Sequence, residues 1–126
     1  MEKRIALIGV ILIIIAIILG AFGAHGLKEL VKADKLASFE VGIRYQMYMG
    51  ICLLIIGLNA EKFNFSLKII VNLLVIGLIL FSGSIYLLSL QELIPISLKF
   101  LGPFTPIGGT LMIVGFCSLF IKLLRS

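Results

Sequence analysis

The sequence predicts an all-α fold: a four-transmembrane-helix bundle in a single membrane domain, 1–126, with a short interfacial amphipathic helix between helices 1 and 2. Three observations carry this prediction. Hydrophobic residues make up 61% of the chain and charged ones 13%, far from the roughly half apolar and quarter charged of soluble domains. The apolar residues gather into four runs of about 20 residues, which at about 1.5 Å per residue matches a hydrocarbon core of roughly 30 Å. Lys and Arg sit at the ends of those runs, where positive charge meets headgroups and helps set topology. The net charge of +5 therefore does not point to nucleic acid, which would call for a clustered basic face with interleaved aromatics.

The first span covers 5–24, twenty residues from Ile5 to Ala24 without a polar side chain. Its start, Lys3-Arg4 before an apolar run, also resembles a signal peptide with Ala21-Phe22-Gly23 as a tolerable cleavage pattern. The run exceeds a usual signal core, so it reads as a span. HGLKELVKADKLASFE, from His25 to Glu40, is the most charged stretch, and Leu27, Leu30, Val31 and Phe39 are spaced for the interfacial helix. The second span, 41–60, has its polar residues near the entrance. The third, 69–90, holds no charge and is stopped by Gln91-Glu92 and Pro95. The fourth, 105–121, begins with Thr105 as an expected cap and Pro106 in the first turn, where no backbone donor is needed.

Four spans put both termini on one side. With the termini inside, six cations are cytoplasmic (Lys3, Arg4, Lys62, Lys68, Lys122, Arg125), against Lys28, Lys32, Lys35, Lys99 and, if it counts, Arg44 outside. The sequence thus predicts an inner cell membrane protein with cytoplasmic termini.

In lipid, helices associate through small residues and interhelical hydrogen bonds. Ala6, Gly9, Ile13, Ala16, Gly20 and Gly23 recur at alternating spacings of three and four, as do Asn72, Val75, Ile79, Ser82, Tyr86 and Ser89. Both stripes read as packing seams. The second could instead line a hydrated route, but no ionisable residue lies in that span, as conduction would usually require. Glu40, Arg44, Tyr48 and Cys52 are four apart. An interfacial Glu40–Arg44 pair beside a Tyr45/Tyr48 belt is the plain expectation; a lipid-headgroup or anion site on Arg44 is the sharper alternative. Together with His25 and Gln46, these give a candidate polar site of His25, Glu40, Arg44, Gln46 and Tyr48. His25 alone makes no metal site, and Cys52 and Cys117 read as free buried thiols. No metal and no cofactor are expected.

GAFGAHGLK at 20–28, RYQMY at 44–48, ILFSGSIYLL at 79–88 and GPFTPIGG at 102–109 together resemble the small bacterial membrane family catalogued as domain of unknown function 423, to which eukaryotic transmembrane protein 256 is similar. The resemblance covers essentially the whole chain and implies a four-helix inner-membrane protein without a transferable activity. His25, Tyr45, Gln46, Ser82, Gly83, Ser84, Tyr86, Thr105, Pro106 and Gly108-Gly109 match its motifs. The family commonly carries a histidine where this chain has Met49, which speaks against a two-histidine metal or proton site here and leaves His25 a hydrogen-bonding or pH-sensitive role.

The leading functional expectation is a non-enzymatic helix-packing, lipid- or partner-binding module. Its expected partners are membrane lipids and a second copy or another membrane protein. The alternative is an oligomeric channel or transporter around His25, Arg44, Gln46 and Ser82. An enzyme is disfavoured, because no nucleophile–base pair, paired carboxylates or metal-ligand cluster stands at usable spacing.

Overall fold

A computed structural model describes all residues, 1–126. It is helical throughout, with no strand and four helices long and apolar enough to cross a membrane. They are α1 (Lys3–His25), α2 (Ala33–Leu58), α3 (Lys68–Ser89) and α4 (Phe104–Arg125). The connections turn by 3-10 segments, and neighbours in sequence pack as neighbours in space.

Between α1 and α2 the expected interfacial helix takes a smaller form. Only Leu27–Glu29 makes a 3-10 turn, and the amphipathic residues from Ala33 to Glu40 are the first two turns of α2. The reason lies in burial. Leu27 is fully buried and Phe39 nearly so, which pulls both ends of the segment onto the bundle instead of leaving it along the headgroups. The second helix consequently begins at Ala33 instead of Val41 and reaches 26 residues.

The start of α4 also differs from expectation. The helix begins at Phe104 with Pro103 at its N-cap and no side-chain cap. Thr105 is thus already helical, and its hydroxyl meets Ser84 of α3 instead of a backbone N–H of its own first turn. The long α3–α4 connection is organised by Gln91, whose Nε2 donates to the Ile96 carbonyl at 2.7 Å and whose Oε1 accepts from the Leu98 N–H.

Two hairpins are cemented by glycines. A Cβ on Gly9 would come within 2.6 Å of both the Gly50 carbonyl oxygen and the Leu54 nitrogen, and one on Gly50 within 2.9 Å of Ile13. In the second hairpin, a Cβ on Gly77 would lie 2.8 Å from the Gly108 carbonyl oxygen, and one on Gly115 2.8 Å from Leu74. Backbones can approach this closely only where no side chain intervenes, and this approach replaces the missing hydrophobic drive in lipid. The hairpins meet through α2 and α3, which supply most of the apolar core: Met49, Leu53 and Ile56 against Ile70, Val71, Leu74 and Leu78, with Met112 from α4. α1 and α4 lie at the two far corners, without extensive backbone approach to each other. Both cysteines are free, but only Cys52 is partly buried; Cys117 is exposed, because it lies on the outward face of the corner helix α4.

The end of the molecule that carries the termini is marked by two contacts. Lys122 Nζ lies over the Phe65 ring, 5.7 Å from its centroid. The Met1 ammonium donates to Glu61 Oε2 at 2.8 Å, and this hydrogen bond holds the Glu61 carboxyl below its ordinary range. Both partners are more than half exposed, so the pair adds little stability.

Candidate functional site

Polar side chains in a bilayer need partners, and five of them join the four helices. Gln46 stands near the middle of α2. Its Nε2 donates to the Leu12 carbonyl of α1 at 2.9 Å, and its Oε1 accepts from Tyr86 Oη of α3 at 2.6 Å. One amide thereby ties three helices. Ser82 Oγ donates to the Gly42 carbonyl at 2.9 Å. Gly42 is what lets α3 come so near, since a Cβ there would lie 2.6 Å from the Tyr86 ring. The Phe39 ring closes the same corner, 5.1 Å from that of Tyr86. Towards α4, Ser84 Oγ donates to the Phe81 carbonyl at 3.0 Å and meets Thr105 Oγ1 at 2.5 Å.

Every buried side-chain nitrogen and oxygen in the chain has a hydrogen-bond partner. A network of neutral groups bonded to one another and to backbone fixes helix register. No three His, Cys, Asp or Glu side chains converge anywhere in the fold.

The network draws its members from motifs far apart in sequence: Gln46 from RYQMY, Ser82, Ser84 and Tyr86 from ILFSGSIYLL, Thr105 from GPFTPIGG. Residues 19–109 match the family described as Protein of unknown function (DUF423). The chain belongs to this family. It is 38% identical to a UPF0382 membrane protein of Staphylococcus saprophyticus, over 94% of this chain and 95% of that protein. A UPF0382 membrane protein of Haemophilus influenzae is 38% identical over 80% of this chain and 77% of its own length. UPF0382 membrane protein YwdK of Bacillus subtilis is 31% identical over 98% of each. No solved structure matches the chain. With relatives named as membrane proteins and four apolar helices, this DUF423 chain is a multi-pass membrane protein.

The candidate polar site does not assemble as one cluster in this DUF423 fold. Gln46 is buried in the network, whereas His25, Glu40, Arg44 and Tyr48 are exposed. The reason is helical geometry: at about 100° per residue, Arg44 and Gln46 lie about 200° apart around α2. His25 is the last residue of α1 and enters no salt bridge. Glu40 and Arg44 share a face but form no ion pair, and the one ion pair in the chain is that of Met1 and Glu61.

Arg44 nonetheless lies well inside its helix. It lies eleven residues beyond the start of α2, about 16 Å along the axis at about 1.5 Å per residue. Two residues further, Gln46 is bonded to the middle of α1. Glu40, Arg44, Tyr48, Ile51, Ile55 and Leu58 thus form an exposed ridge down α2. Beside it a groove of about 350 Å³ runs between α2 and α4, with Tyr45, Tyr48, Phe81, Met112 and Phe116 in its walls.

Of the residues expected to pack helices, Gly9, Ala16 and Gly23 are buried, as is Ser82, and Tyr86 is half-buried in the network. Two are corrected. A Cβ on Gly20 would meet nothing within 4 Å, and Asn72 is exposed. The third-span stripe drifts outward towards its start, because Val71, Leu74 and Leu78 carry the contact there. The glycine set Gly42, Gly50 and Gly57 escapes a search for alternating spacings of three and four. Its own spacings of eight and seven are the signal that marks it.

Proposed function

We propose that this DUF423 protein is a non-enzymatic docking module of the cell membrane: a rigid four-helix core that presents the α2 ridge to a helix of a membrane partner. The observation that carries the reading is the exposure of Glu40, Arg44 and Tyr48 at membrane depth on an otherwise apolar surface. Charged side chains within membrane spans almost always face protein or water and pair there, and this chain offers Arg44 no ion pair. The neighbouring apolar groove gives a partner's side chains a place to insert. Transport through the fold is the weaker reading, because Gln46, Ser82 and Tyr86 are already engaged with one another and with backbone.

The test is site-specific photocrosslinking in native membranes, with a benzophenone amino acid in place of Tyr48 and, as a control, of the lipid-facing Ile17. The expected result is a discrete protein adduct from position 48 and none from position 17. Adducts from neither, or equal smears from both, would remove the docking reading.

A further inference from the structure

We propose that the occupant of the α2 ridge is a second copy of this chain, held by two reciprocal ion pairs, Arg44 of each copy with Glu40 of the other. This rests on the docking reading of the same ridge and names its partner.

An ion pair for Arg44 requires a carboxylate. α1, α3 and α4 contain no Asp or Glu, and α2 contains only Asp34, in its first turn, and Glu40. Within an assembly of this chain, Glu40 is therefore the one carboxylate that can meet Arg44 at its depth. Its own Glu40 leaves it unpaired, which points to the Glu40 of another copy.

Symmetry favours the same pairing. With every copy inserted in one orientation, a two-fold axis runs along the bilayer normal and the two α2 helices are parallel at equal depth. A two-fold interface is isologous: if residue i meets j, then j meets i. Opposite charges one turn apart on one face satisfy this rule, since Arg44 then faces the other copy's Glu40 and Glu40 the other copy's Arg44. Helical side chains lean towards the helix N-terminus. The longer arginine therefore rises towards the level of the glutamate one turn above.

The rest of the ridge suits two parallel helices. Arg44, Tyr48, Ile51, Ile55 and Leu58 recur at spacings of four, three, four and three, the pattern of a left-handed parallel helix pair. Below Tyr48 the ridge is apolar and exposed.

The experiment uses full-length protein in which Cys52 and Cys117 are replaced by alanine, and the benzophenone probe again stands in place of Tyr48. The expected adduct in native membranes has twice the chain mass. Two differently tagged charge variants are then compared, Glu40→Arg and Arg44→Glu. Each alone places like charges across the axis, and its doubled adduct falls about tenfold or more, the equivalent of about 1.4 kcal/mol. Expressed together, the two variants restore opposite charges at both contacts, and a mixed dimer carrying both tags recovers. Recovery on mixing is an effect that misfolding of either variant would not produce. An adduct with a different protein would overturn the second copy while leaving the docking reading intact. A doubled adduct indifferent to the charge variants, or no recovery on mixing, would overturn the ion pairs. No adduct of any kind would remove both readings.

Discussion

At the residue scale the most informative side chain is Gln46. Its amide uses one donor on the Leu12 carbonyl and its oxygen on the Tyr86 hydroxyl, so Gln46→Leu removes a link to α1 and orphans a phenol in α3 at once. A buried group left unsatisfied costs about 1–3 kcal/mol, although intramembrane hydrogen bonds measured by double-mutant cycles average only about 0.6. Gln46→Leu is therefore expected to destabilise the fold by about 1 kcal/mol, read by reversible unfolding in mixed micelles. In a cycle with Tyr86→Phe, a coupling of about 0.6–1.7 kcal/mol is expected, and a coupling of zero would contradict the shared hydrogen bond. Gln46 is legible in the sequence as a polar residue of interest, but its partners are not. Proximity in the chain groups it with Arg44 and Tyr48, although helical geometry turns it to the opposite face. The bonds it makes run to residues 34 and 40 positions away, and they depend on a cross-helix register that one helix's periodicity cannot reveal.

At the scale of elements, that register is set by where backbones touch. Gly9 of α1 has no space for a methyl group, whereas Gly20, on the same predicted stripe, has open space around it. Gly9→Ala should thus force the first hairpin apart at a cost of about 1–3 kcal/mol, the usual range for overpacking. Gly20→Ala should be neutral or stabilising by up to about 1 kcal/mol, since alanine is the better helix former. Thermal unfolding of the two variants separates them, and equal losses would mean that the seam does not depend on close approach. The sequence discloses the first half of this seam, because small residues in α1 stand out among branched ones. It discloses less of the partner seam, because Gly42, Gly50 and Gly57 in α2 are interleaved with polar and aromatic residues. The beginning of α2 is hidden for a different reason. In sequence, the polar residues from Lys32 to Glu40 read as a headgroup segment, but helix continues through them because Leu27 and Phe39 can be buried by doing so.

For the molecule as a whole, the remaining asymmetry is between its two ends. The end with the termini gathers Lys3, Arg4, Lys62, Lys68, Lys122 and Arg125, and the opposite end Lys28, Lys32, Lys35 and Lys99. Arg44 drops out of the comparison, since it lies inside α2 and not in a loop. Six against four is a modest difference, but Lys3 and Arg4 flank the first helix to insert, which usually dominates orientation. Cytoplasmic termini are accordingly expected. In a background without Cys52 and Cys117, Lys28→Cys should react with a membrane-impermeant maleimide on intact cells, and Lys62→Cys only after the membrane is opened. The same orientation fixes which leaflet lies nearer the ion pairs of the α2 ridge. Glu40 and Arg44 belong to the half of α2 that begins at the Lys28 end, so their depth is reached from the outer leaflet. Labelling in the reverse order would invert the bundle and turn that half of the ridge towards the cytoplasm.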